Sequence, residues 1–263
     1  MIELEHFRMA YDDFGQGTPL VLLHGFPLSR AIWAAQIAEL SAHHRLIAPD
    51  LRGHGDSEAT PGPYSMEMLA DDCLALLDVL EIQQPVILCG LSMGGYISLA
   101  FFRNYPARVA SLILAATRAS ADSPEAQINR DKAISVANQQ GAQAISDSML
   151  PKMFAPETSA SNPTLIKNLR EMMANTSLPG IIGALQGMKN RQDSTPLLPL
   201  IKVPALVCHG ANDQLIPVAV AQEMAASIPN AQLNIIPRAG HLLNLEQPAL
   251  FNQAIADFIY KQF

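Results

Sequence analysis

A serine set between glycines at fixed spacing is the first chemical signal in this sequence. Gly90-Leu91-Ser92-Met93-Gly94-Gly95 follows a short apolar run and precedes a stretch with helical spacing. In that context a G-x-S-x-G pattern describes a tight strand-to-helix turn, and glycines two positions to either side let the serine hydroxyl project from a sheet edge. The start of the following helix aims backbone N–H groups at negative charge that develops there. The bland alternative, a glycine-rich turn that merely contains a serine, makes the flanking strand and helix coincidental.

A serine hydroxyl is a weak nucleophile at neutral pH and needs a base, to be chosen among seven histidines. His6 sits in the first strand, His43 and His44 lie between a helix and a strand, and His54 is in the turn Arg52-Gly53-His54-Gly55. His24 opens His24-Gly25-Phe26-Pro27 at a strand end and reads as scaffolding, and His209 ends a strand and reads as a satisfied core histidine. His241 follows a strand and Gly240 and precedes a helix expected near Glu246, so its loop overhangs the edge that exposes Ser92. A carboxylate must then orient the imidazole and stabilise its charged form. Asp213, in Gly210-Ala211-Asn212-Asp213 just past a strand, is favoured; Asp122, past the preceding strand, is the rival. For either aspartate the bland reading is a solvated loop carboxylate or a helix N-cap.

These residues act together only if the fold carries them to one edge. Runs at Leu46 to Ala48, Val86 to Cys89, Ala110 to Ala115, Ala205 to Cys208 and Leu233 to Ile236 read as buried strands. Helical spacing lies between them, clearest in Leu69, Cys73, Leu76, Leu77 and Leu80 behind the capping residue Ser65. Alternation of this kind predicts a mostly parallel sheet with helices on both faces. Phe7, Met9 and Tyr11 alternate with Arg8 and Ala10 ahead of a turn and the run Leu20 to Leu23, an N-terminal hairpin or meander. Between Arg118 and Thr195 the strands stop, and this helical block holds Met149, Met153, Met172, Met173 and Met188, expected chiefly as core filling. The expected organisation is a core of residues 1–117 and 196–263, with 118–195 inserted as a helical cap over Ser92.

Composition narrows the function classes. The chain has 263 residues, 49% apolar and 16% charged, ample for a large core and unlike a disordered chain. Lys+Arg 17 against Asp+Glu 24 gives −7, which argues against nucleic acid or an anionic membrane surface as a partner. Cys73, Cys89 and Cys208 form neither a disulfide framework nor a zinc cluster, and Glu3 and Glu5 stand where a signal peptide is basic, so a cytoplasmic protein is expected. Ile82 to Phe102 has the length and lack of charge of a membrane span, but Pro85, Gly90, Gly94 and Gly95 divide it into a strand and a helix.

With these residues assigned, the sequence resembles the α/β-hydrolases over nearly its whole length: Ser92, Asp213 and His241 follow the family order of nucleophile, acid and histidine. The resemblance implies that His24-Gly25-Phe26-Pro27 is the oxyanion loop, that the N–H groups of Phe26 and Met93 form the oxyanion hole, and that Asp50 to Ser57 shapes a turn near the site. Gly90 to Gly95, with Ala116-Thr117-Arg118-Ala119 and Asp122-Ser123-Pro124-Glu125, is similar to cofactor-free carboxylesterases, perhydrolases and 3-oxoadipate enol-lactonases. The implied reaction is hydrolysis of a small carboxylic ester or lactone through an acyl-serine, with no metal and no organic cofactor. Ser92 excludes the alkyl-enzyme chemistry of dehalogenases and epoxide hydrolases, and Cys89 lies inside a strand rather than at the dienelactone hydrolase nucleophile position. A carbon–carbon bond hydrolase with the same triad and a small-ligand receptor on this fold stay open, as do the substrate-binding residues and the oligomeric state.

Overall fold

Side chains that alternate along a strand pack on both faces of a sheet, and in the computed structural model, which describes residues 1–262, they build two cores. β1 (Ile2–Glu3) and β2 (Arg8–Met9) form a small antiparallel pair. β3 (Tyr11–Phe14), β4 (Pro19–Leu23), β5 (Arg45–Pro49), β6 (Val86–Leu91), β7 (Val109–Ala115), β8 (Ala205–Gly210) and β9 (Ala231–Ile236) form the main sheet. Its spatial order is β3-β5-β4-β6-β7-β8-β9, antiparallel only where β3 meets β5.

The helices are α1 (Ala34–Leu40), α2 (Met66–Val79), α3 (Met93–Asn104), α4 (Pro124–Met149), α5 (Pro156–Ser161), α6 (Pro163–Ala174), α7 (Leu178–Lys189), α8 (Val218–Ser227), α9 (Leu243–Glu246) and α10 (Pro248–Tyr260). Val21, Leu23, Leu88, Leu114 and Val207 share one core with α2, α3 and α8. Leu20, Leu22, Ile87, Ile113 and Leu206 share the other with Trp33 and with Phe251 and Phe258 of α10. Between β7 and β8 the chain is helical, and Ser123, Asn162 and Ser177 cap α4, α6 and α7 by accepting from Ala126, Leu165 and Gly180 N–H. Among the described residues no helix is long and apolar enough to cross a membrane.

The N-terminal segment differs from a single hairpin: β2 pairs with β1, whereas β3 joins the sheet edge beside β5 rather than beside β4. The run ending at Ile236 is an edge strand, with Leu233 41% exposed, because only β8 flanks it. The helix expected to begin near Glu246 is α10, which starts at Pro248 after the single turn α9, because the proline cannot continue the earlier ladder.

Candidate active site

β6 ends at Leu91 and α3 starts at Met93, so Ser92 makes the turn alone, at φ 54 and ψ −111. A positive φ in a residue with a side chain costs on the order of 1–3 kcal/mol and persists only where the surroundings enforce it. Ser92 N–H donates to Ala115 O at 2.8 Å, and Thr117 Oγ1 donates to Ser92 O at 2.8 Å. A Cβ at Gly90 would overlap the Gly94 carbonyl, and one at Gly94 would overlap the Leu23 carbonyl, so both positions need glycine for α3 to sit this close to β6 and β4.

The loops after β8 and β9 are stitched together by Ala211 N–H to Ile236 O at 2.9 Å and Asn212 N–H to Ala239 O at 2.8 Å. This brings Asp213 to His241, whose Nδ1 donates to Oδ2 at 2.8 Å, an arrangement in which the lone pair of a neutral ring lies on Nε2. Asp213 Oδ1 accepts from Leu215 and Ile216 N–H at 2.8 and 3.0 Å. Burial pushes the Asp213 carboxyl up, but the His241 hydrogen bond and these two N–H groups outweigh it and hold the group below its ordinary value. His209 is only half satisfied: Nε2 donates to Ile216 O at 2.8 Å and lies 3.3 Å from Asp213 Oδ2, while its buried Nδ1 has no partner among the described residues. The rival Asp122 is committed elsewhere, accepting from Arg191 at 2.5 Å and Arg130 at 3.0 Å.

The loop after β4 is fixed by its histidine. His24 Nδ1 donates to Gly25 O at 2.8 Å while Nε2 accepts from Leu51 N–H at 3.0 Å, and burial lowers its pKa to about 4, so the ring stays neutral in this tautomer. Among the described residues no acceptor pairs with the N–H of Phe26 or of Met93. The Asp50 to Ser57 turn buttresses the loop: Asp50 pairs with Arg30 and accepts from Asp56 N–H at 2.8 Å, and the His54 ring lies 5.3 Å from His24 and 6.2 Å from Phe26.

Ser92, His241 and Phe26 line one cavity of about 320 Å³. Its other walls include Tyr96, Arg118, Ile145, Leu185 and Ile216, none of which sequence reasoning assigned to a pocket. Met149 and Met188 also line it, whereas Met153 and Met173 fill core as expected. Among the described residues, no group of three or more His, Cys, Asp or Glu side chains is placed to hold a metal ion.

A family model described as the alpha/beta hydrolase fold matches residues 18–248. The chain belongs to the α/β-hydrolase family. It is 31% identical over 257 residues to 3-oxoadipate enol-lactonase 2 of Acinetobacter baylyi, covering 97% of this chain and 94% of that protein. An esterase from Thermogutta terrifontis, solved with malate bound, superposes with a TM-score of 0.95 at 42% identity, covering 97% of this chain and 94% of the other. An enol-lactonase from Burkholderia xenovorans LB400 superposes with a TM-score of 0.91 at 31% identity, covering 98% of each chain. This α/β-hydrolase is therefore an enzyme of the esterase and lactonase type.

Proposed function

We propose that this α/β-hydrolase cleaves small carboxylic esters or lactones through an acyl-serine, with Ser92 as nucleophile, His241 as general base and acid, and Asp213 as the orienting carboxylate. The observation that carries the reading is the strained Ser92 turn opening into the same cavity as His241, whose Nδ1 is hydrogen-bonded to Asp213. His241 Nε2 takes the Ser92 proton as Oγ attacks the carbonyl carbon, and Asp213 stabilises the imidazolium that forms. The oxyanion is received by the N–H groups of Phe26 and Met93. His241 returns the proton to the leaving alkoxide, then activates a water that releases the acid and regenerates Ser92.

Helices α4 to α7 serve in this reading as the cap, and residues 1–117 with 196–263 as the catalytic core. The ligand is a small molecule, without a nucleic acid or membrane partner. The free, buried Cys73, Cys89 and Cys208 support a reducing, cytoplasmic setting. Labelling with a fluorophosphonate tests the assignment. Wild type is expected to carry the label on Ser92 and to turn over activated esters repeatedly, and Ser92→Ala is expected to do neither. Label retained in Ser92→Ala, or a single turnover in wild type, would overturn it.

A further inference from the structure

Among the described residues, the cavity holds one cation without a carboxylate partner. Three charged side chains line it, Arg118, Asp122 and Arg130. Asp122 and Arg130 are bound to each other, and Arg191 takes the second Asp122 oxygen. Arg118 is different: among the described residues its guanidinium makes one hydrogen bond, Nη2 to Leu215 O at 3.3 Å, and its Nε is buried without a partner. Among the described residues no Asp or Glu lies within ion-pair distance of it. The residue follows Thr117, whose hydroxyl holds the Ser92 carbonyl, so this cation is built next to the elbow.

A guanidinium whose Nε is withdrawn from water without an acceptor is costly to keep, and its planar fork fits the two oxygens of a carboxylate. We propose that Arg118 is the specificity-determining residue of the cavity and binds a carboxylate on the substrate, so that the preferred substrates are half-esters or lactones carrying a free acid group. One unpaired guanidinium offers one positive charge, which matches a carboxylate monoanion better than a phosphate dianion. In a protein of net charge −7, an unpaired cation in the cavity also selects its ligand against the general field. The proposal rests on the esterase and lactonase reading above.

The test compares kcat/KM for monoethyl succinate, monoethyl glutarate and monoethyl adipate with that for ethyl butanoate. Wild type should favour at least one half-ester over the neutral ester. Arg118→Leu should lower that ratio by about ten- to hundredfold, the range for loss of a charge-assisted hydrogen bond, and Arg118→Lys should restore part of it. A ratio that Arg118→Leu leaves unchanged would overturn the proposal while leaving the esterase reading intact. Binding is measured separately, by calorimetric titration of Ser92→Ala protein with glutarate and with inorganic phosphate. Glutarate should bind more tightly than phosphate, and Arg118→Leu in the same background should weaken it about tenfold or more. If no ester were turned over, this titration would still decide Arg118, and glutarate affinity indifferent to Arg118→Leu or weaker than that of phosphate would reject the site. Arg118→Gln serves as the second variant if Arg118→Leu does not fold.

Discussion

Only one tautomer of His241 lets Nε2 accept a proton, and Asp213 selects it by accepting from Nδ1 at 2.8 Å. Two backbone N–H groups hold the other carboxylate oxygen, so Asp213 cannot rotate away to serve another partner without losing both bonds. An amide at this position keeps the shape and loses the charge that stabilises the imidazolium. Asp213→Asn is therefore expected to lower kcat by about 10³- to 10⁴-fold with little change in melting temperature, checked by steady-state kinetics and calorimetry side by side. Asp122→Asn should behave in the opposite sense. Its carboxylate joins Arg130 and the buried Arg191, so the substitution strands charge and costs about 3 kcal/mol of stability while sparing most of kcat. An inactive but stable Asp122→Asn beside a near-wild-type Asp213→Asn would place the acid after β7.

The elements that hold these residues were legible to different degrees, and the reason is distance along the chain. Ser92, Asp213 and His241 each follow an apolar run by a few residues, so the strand pattern points to them directly. Arg191 lies over the Tyr96 ring at 4.2 Å and bonds Asp122, 69 positions away, a contact that no local period encodes. The sequence pattern marks Glu246 only as a helix start, yet it accepts from Gly240 N–H at 2.7 Å, Ala155 N–H at 2.8 Å and Thr158 Oγ1 at 2.7 Å. It ties the His241 loop to α5 and the residue before it, beside Leu242 N–H to Met153 O at 3.2 Å. Glu246→Ala strands these donors and is expected to cost about 1–3 kcal/mol and to lower kcat, read by denaturant titration and kinetics; full activity at wild-type stability would deny the tie a role. Burial also lowers the His24 and His54 pKa values from 6.5 to about 4 and about 3. The unfolded chain protonates these rings first, so stability is complete above about pH 6.5 and falls as pH drops toward about 4, by up to about 1.4 kcal/mol per pH unit for each ring. His54→Phe should flatten that slope in melting curves, and an unaltered slope would remove His54 from the account.

At the scale of the molecule, what matters is that the strand edge bearing Ser92 opens into a cavity of limited size. Ser92, Asp213 and His241 all follow strands of the parallel part of the sheet, and the polypeptide leaving β7 forms α4 to α7 before returning at β8. Side chains from that excursion, among them Ile145, Met149, Leu185 and Met188, line the same cavity as Ser92. A volume of about 320 Å³ sits at the small end of the range for ligand sites and holds a short acyl chain together with a small alcohol. Contact with such walls stabilises the transition state only while the acyl chain fits inside them, so each methylene beyond the cavity length gains nothing and encounters the helices. Short acyl esters, acetates and butanoates of a good leaving group, are accordingly expected to show the highest kcat/KM, with a steep fall for longer chains. The rate should rise smoothly with substrate concentration and show no jump where the substrate passes its solubility limit. A chain-length series assayed on both sides of that limit checks this, and peak activity on emulsified long-chain esters would mean that α4 to α7 move aside at an interface instead of bounding the substrate.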